Sequence, residues 1–193
     1  MKILHTKGFT ILETLVAISI LLISIVGPLT VAEKGLVAAT TAQDQMTATY
    51  LAEDLLEFVR DVRDNFIVAN NSSWLAGSID LSSCNTVNSK CDFDTKVQSP
   101  SAPAFATCSV TALNLCTLFS APSGSINYYT PDSTLGATST RFSRSFTITP
   151  LNESVAGNAQ TAASAVITVT VAWKTGGIDN QVVLQDVIFN TLR

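Results

Sequence analysis

The chain is constrained first by a run of 19 residues, Thr14 to Ala32, that carries no charge. Counted from Phe9 the apolar stretch is 24 residues long and holds one ionisable group, Glu13. Its Leu, Ile and Val content would suit a buried strand as well, but the length decides for helix. As a helix it spans ~36 Å, whereas a bilayer core is crossed by ~20 residues. A lone carboxylate in such a segment costs a few kcal/mol in lipid, so it marks a functional site and requires a partner. Acids are also favoured close to a helix N-terminus, where Glu13 stands. In front of it lies a short leader, with Lys2 and Lys7 and a Gly8-Phe9 step. Gly8 has no side chain to keep a peptidase from its carbonyl.

Lys7-Gly8-Phe9-Thr10-Ile11-Leu12-Glu13 followed by the apolar run resembles the N-terminus of the type IV pilin superfamily, which includes major and minor pilins and type II secretion pseudopilins. The matching features are a basic leader ending in Gly, an aromatic residue after it, and a Glu five residues into the processed chain. The resemblance implies cleavage between Gly8 and Phe9 by prepilin peptidase and N-methylation of Phe9. It also implies an assembly role for Glu13, facing the free amine of a neighbouring subunit. Cutting after Gly8 would create an ammonium at membrane depth, which Glu13 could neutralise. Two other readings stay open: an uncleaved membrane anchor, and a secretory signal cut after Ala32. The second fits less well, because an h-region runs ~7–15 residues and rarely embeds a Glu.

With residues 1–8 removed, 9 basic residues face 15 acidic ones, a net charge of −6. Such a body has no electrostatic footprint for nucleic acid, and none is expected as a partner. The single histidine, His5, falls in the leader. A processed chain therefore lacks the base of Ser-His-Asp and Cys-His catalysis and the imidazole ligands of catalytic zinc. No catalytic residue, cofactor or metal is expected, and the chain reads as non-enzymatic. Asp92 and Asp94 are two carboxylates on one loop, far short of the ~6–8 oxygens that calcium takes.

Four cysteines, Cys84, Cys91, Cys108 and Cys116, read as two disulfides in an exported domain. Three connectivities are possible. The local pairs Cys84–Cys91 and Cys108–Cys116 are favoured, because Pro100-Ser101-Ala102-Pro103 separates them like a spacer. A four-thiolate zinc site has wider spacings here than zinc knuckles use.

The organisation expected is a leader (1–8), a transmembrane and assembly helix (9–32), and a pilin-like globular domain (33–193). Gly27-Pro28 predicts a kink near the end of the membrane segment, since Pro28 cannot donate to Ser24 and clashes with its carbonyl. The helix continues over 33–67, with Leu51, Leu55, Phe58, Val62 and Phe66 on one face and most charges elsewhere. Glu57 with Arg60, and Arg60 with Asp64, are the expected side-chain pairs. Asn70-Asn71-Ser72-Ser73 ends the helix; its two Asn-x-Ser patterns, and a third at Asn152, are weak glycosylation signals. Residues 68–139 form a cysteine-containing loop region, and 74–125 read as irregular. An antiparallel sheet fills 140–193, a three-stranded meander. Its strands run over Phe142–Thr149, Ala165–Trp173 and Gln181–Phe189, with a turn at Gly176-Gly177. One apolar face should lie on Leu51, Leu55, Phe58 and Val62, giving an α+β, pilin-like fold.

The implied partners are other pilin or pseudopilin subunits, prepilin peptidase, the cytoplasmic membrane and the filament assembly machinery. The implied place is the cytoplasmic membrane before assembly and an extracytoplasmic filament after it. Cysteines before the sheet, rather than after it, favour a minor pilin over a major one. A type II secretion pseudopilin is the alternative, and a DNA-uptake pseudopilin is disfavoured by the acidic body. The alternative of another class is an anchored adhesive or glycan-binding module, for which Trp74, Tyr128 and Tyr129 are the stacking candidates.

Overall fold

The computed structural model describes residues 8–69, 74–75, 81–85, 89–96, 105–109, 117–133, 136–151 and 164–190. The chain divides into two compact units, Met1–Asp44 and Gln45–Arg193. Helix α1 runs from Ile11 to Val68, 58 residues without interruption, or ~87 Å at ~1.5 Å per residue. Its N-cap is Thr10: the Glu13 amide donates to Thr10 Oγ1 at 3.3 Å, and the Thr14 amide donates to the Thr10 carbonyl. The helix passes through Pro28 without leaving helical structure.

In the first unit every side chain of α1 from Ile11 to Thr40 is exposed, with Ile11 86%, Ile23 75% and Val31 71% accessible. Among the described residues this is the one helix long and apolar enough to cross a membrane, and its most apolar window has a mean hydropathy of 2.5. It is compatible with a single-pass membrane protein. A helix that is apolar all round needs either a core or lipid around it.

In the second unit the helix becomes amphipathic, and the predicted stripe is its buried face. Leu55, Val59 and Val62 are fully buried, and Leu51, Phe58 and Phe66 nearly so. They pack with Phe142, Phe146, Ile148, Ile167, Val169, Val171 and Trp173 in one cluster. That is the contact the alternation in the sequence predicts, and the architecture is α+β.

The sheet is larger than the sequence suggests. It has seven strands among the described residues, all antiparallel: β1 (Ser89–Phe93), β2 (Phe105–Ser109), β3 (Thr117–Ser123), β4 (Ile126–Thr130), β5 (Thr138–Pro150), β6 (Ser164–Thr175) and β7 (Ile178–Phe189). The expected meander is β5-β6-β7, paired without a break from Phe142↔Trp173 to Pro150↔Ala165 and from Ser164↔Phe189 to Thr175↔Ile178. Gly176 and Gly177 both take positive φ, 59° and 85°, as a two-residue I′ hairpin requires. The other edge of β5 is shared. Its first half pairs with β3, and Phe146 pairs with Cys91 of β1.

The expectation that 74–125 is irregular is therefore corrected. Segments there form a 3₁₀ turn (Leu81–Asn85) and β1 to β3, with β4 just beyond. The reason is visible in their residues. β1 reads Ser-Lys-Cys-Asp-Phe and buries a carboxylate, and β3 contains Pro122; neither carries the apolar alternation that signals a strand. The expected charge pairs on α1 are also corrected. Arg60 reaches across to Asp186 of β7 at 2.9 Å, and Asp64 pairs with Arg63 at 2.7 Å. Tertiary partners on β7 outcompete an i,i+4 pair worth a few tenths of a kcal/mol.

Cys84 and Cys91 form the expected local disulfide, joining the 3₁₀ turn to β1, and both are fully buried. Cys108 lies in β2 opposite Lys90, and its proposed partner Cys116 lies outside the described residues. The other calls on sequence outside them are the leader before Gly8, Asn70–Ser73, the Pro100–Pro103 spacer and the Asn152 pattern. The loop closed by Cys84–Cys91 spans a separation of 7 residues. Chain-entropy reasoning gives it about 2.5 kcal/mol. Replacing both cysteines by Ser should lower the unfolding free energy by that amount, measured by urea unfolding as a lower midpoint.

Candidate functional site

The first site is the N-terminal turn of α1. Gly8, Phe9 and Thr10 precede the helix and are exposed, Phe9 at 79%. Glu13 sits at the third helical position, one turn from Phe9. The polar inventory of the apolar run explains why this residue stands out. The hydroxyls of Thr14, Ser19, Ser24 and Thr30 each donate at 2.8 Å to a carbonyl of their own helix, from Ile11, Leu15, Leu21 and Gly27. A lipid-embedded hydroxyl has to be satisfied internally in this way. The Glu13 carboxylate makes no hydrogen bond or ion pair among the described residues.

Sequence reasoning missed a second property of Glu13. Thr10-Ile11-Leu12-Glu13 has the Thr-x-x-Glu spacing of a capping box, and the Thr10 half of that box is formed. The signal was present in the spacing. Glu13 thus stands where it favours the helix N-terminus electrostatically and also where it could meet an ammonium.

The second cluster lies in the Gln45–Arg193 unit. Arg144 of β5 is 1% exposed and is held from two other elements, β1 and α1. Its Nε donates to Asp92 Oδ1 at 2.9 Å and Nη2 to the Phe93 carbonyl at 2.7 Å, both on β1. Its Nη1 reaches the Leu51 carbonyl and Asp54 Oδ2 of α1, both at 3.4 Å. Asp54 also accepts from Thr95 and pairs with Lys96 at 3.2 Å. Asp94 accepts from Thr130 Oγ1 at 2.6 Å and from the Lys96 amide at 3.2 Å. Asp92 and Asp94 are therefore engaged by cationic and hydrogen-bonding groups, and no cluster of three metal-ligating side chains occurs among the described residues. Phe58, Phe93 and Phe146 stack beside the network with centroids 5.1 and 5.3 Å apart.

Burial pushes Asp92 up to about 6 despite the Arg144 charge, and its Oδ2 has no hydrogen-bond partner among the described residues. Burial also raises Asp54, but Thr95, Lys96 and Arg144 outweigh it and hold that carboxylate below its ordinary value. The two act in opposite pH windows. A raised Asp92 binds more protons folded than unfolded between about pH 4 and pH 6, so its contribution is full at the acid end and lost as pH rises through 6. Asp54 contributes above its unfolded pKa and loses that contribution as pH falls below it. Melting temperature should therefore rise from pH 7 to about pH 5. Asp92→Asn should flatten that slope, read by thermal melts across the range.

The candidates for sugar stacking divide. Trp74 is fully buried in the core and cannot offer a face to a glycan. Tyr129 packs against the core, edge-on to Phe142 at 6.0 Å. Tyr128 is half-buried on β4. On the sheet surface turned away from α1 there is an open groove of about 500 Å³, lined by Arg141, Ser143, Ala172, Lys174, Asp179 and Gln181 among others. Comparison with family models, with curated proteins and with solved structures finds no match to the chain.

Proposed function

We propose that this chain is a non-enzymatic subunit of a type IV pilus or a related filament, a minor pilin by its cysteine placement. In this reading prepilin peptidase cuts between Gly8 and Phe9, Phe9 is N-methylated, and the helix holds the subunit in the cytoplasmic membrane until assembly. The observation that carries it is the Glu13 carboxylate, without a partner among the described residues in an apolar helix whose hydroxyls are satisfied internally. An ammonium created at Phe9 of a neighbouring subunit supplies the missing opposite charge. The globular unit then travels into an extracytoplasmic filament. A type II secretion pseudopilin would share all of these features. The burial of Trp74 weakens the glycan-binding alternative.

The test is the mass of the N-terminal peptide of membrane-extracted protein, from hosts with and without prepilin peptidase. The expected result is a peptide starting at Phe9 with one added methyl, only when the peptidase is present. An intact leader in both hosts, or a start at Glu33, would overturn the proposal. Recovery in sheared filaments, rather than in a periplasmic pseudopilus, separates the pilin from the pseudopilin.

A further inference from the structure

Strands β1 and β2 form a two-stranded ribbon, paired from Ser89↔Ser109 to Phe93↔Phe105. Such a ribbon is marginal by itself and has to be fastened to a larger body. Its backbone fastening is slight. Among the described residues β1 pairs with β5 only at Cys91↔Phe146, whereas β6 follows β5 without a break from Phe142 to Pro150. The pairing of β3 with β5 stops at Ser143, so Arg144 stands in the gap between two neighbours of β5.

Side chains supply the rest, and they fall on three consecutive residues of β1. Cys91 carries the disulfide to Cys84, Asp92 accepts from Arg144 Nε at 2.9 Å, and the Phe93 carbonyl accepts from Nη2 at 2.7 Å. The Phe93 ring lies between Phe58 of α1 and Phe146 of β5. All three residues are fully buried. The other end of the disulfide is fixed independently of β1. Leu81 opens the 3₁₀ turn, is buried in the core cluster, and donates its amide to the Leu75 carbonyl at 2.8 Å. The disulfide is the one covalent fastening, and it lies next in the chain to the carboxylate that must meet Arg144. Tethering Cys91 to a seated turn holds Asp92 and Phe93 at the guanidinium instead of leaving them to find it.

We propose that the Cys84–Cys91 bond is a redox latch on the β1–β2 ribbon: with the bond made, the ribbon moves only with the 3₁₀ turn, and without it the ribbon opens by itself. The closing step is thiol–disulfide exchange. Two thiols of this chain give up two protons and two electrons, their sulfurs join, and the disulfide of an exchange protein is reduced to a dithiol. Both sulfurs are then buried, which keeps soluble thiols from reopening the bond. In the open form Arg144 keeps only its α1 partners, the Leu51 carbonyl and Asp54, and Phe58 loses the Phe93 ring. The cover of the helix is thus completed only in a chain that has met an oxidant, and disulfides persist in oxidising compartments. The latch stands on the globular unit alone; only the place where it closes rests on the filament reading.

The test is hydrogen exchange, read by mass spectrometry across a series of low urea concentrations, on the detergent-solubilised full chain. The native chain is compared with Cys84→Ala plus Cys91→Ala, which leaves Cys108 and Cys116 in place. In the native chain the protected amides of 81–85 and 89–93 should exchange in step, within about 3-fold after correction for intrinsic rates. In the variant 89–93 and 105–109 should run ahead of 81–85 and of 164–175 by ~10-fold or more, with a shallower urea dependence, the mark of a local opening. Segments 81–85 and 89–93 that stay in step in the variant, whether slow or fast, would overturn the latch, and so would segments already out of step in the native chain. A second variant, Cys84→Ala, leaves the Cys91 thiol as a reporter. Maleimide should label it at urea concentrations well below the unfolding midpoint; labelling confined to the unfolding transition would overturn the proposal. The mass of the N-terminal peptide from the same samples reports on cleavage after Gly8, so failure of the latch and failure of the filament reading give different results.

Discussion

Arg144→Met is expected to destabilise the protein by about 3–5 kcal/mol, the largest effect of any single substitution in the globular unit. The side chain is long enough to fill the space, so the loss is electrostatic rather than a cavity. Without the guanidinium, nothing opposes the burial that already pushes Asp92 up to about 6, so this carboxyl takes up a proton or stands unpaired, and the Leu51 and Phe93 carbonyls each lose a donor. Urea unfolding of the detergent-solubilised full chain measures it. Adding Asp92→Asn to Arg144→Met should recover a good part of the loss, because it removes the stranded charge. Simple addition of the two penalties would mean that the residues do not act as a pair.

The second large effect is expected at Glu13. Glu13→Ala should leave cleavage at Gly8-Phe9 intact and reduce incorporation into filaments to near background. An uncompensated charge at membrane depth costs ~2.5–3.5 kcal/mol, so loss of its pairing shifts the balance between free and assembled subunit by roughly 100-fold. The capping geometry allows a sharper version. Gln serves as well as Glu at the third position of a capping box, so Glu13→Gln keeps that role and removes only the charge. Failure of both variants to assemble assigns the effect to the carboxylate. Normal assembly of Glu13→Gln would reassign Glu13 to helix capping. Quantitative immunoblotting of sheared filaments against membranes reads either outcome.

Much of this architecture was legible in the residues. The apolar run and the Leu51–Phe66 stripe define one long helix because both patterns persist far beyond what any other element could use. The strands β5 to β7 were legible because each has a buried and an exposed face. The strands β1 to β4 were not, since β1 and β4 bury the polar residues Asp92 and Thr130 and the registers of β1 and β3 depend on partners far along the chain. Arg144 illustrates the boundary. Its alternation with Phe142, Phe146 and Ile148 put it on the apolar face, which requires a buried counter-charge. Nothing in the sequence said that the counter-charge would be Asp92, 52 residues earlier. At the N-terminus, the position of Glu13 was legible, while its place in a half-formed capping box emerged only with the Thr10 geometry.

The placement of β5 at the middle of the sheet carries a consequence for how the chain is made. The helix is synthesised first, yet much of the cover of Leu55, Val59 and Val62, from Phe142 to Ile188, comes from residues 138–189, the last part to emerge. Until then a greasy, fully formed ridge waits without its cover, and the Arg60–Asp186 tie, 126 residues long in sequence, cannot close. Long-range pairing of this kind is slow and leaves intermediates prone to aggregate. A premature stop before β6 would therefore not yield a shortened subunit. It would yield a helix ridge without the β6 residues Ile167, Val169 and Val171 that complete its cover, a substrate for proteolysis.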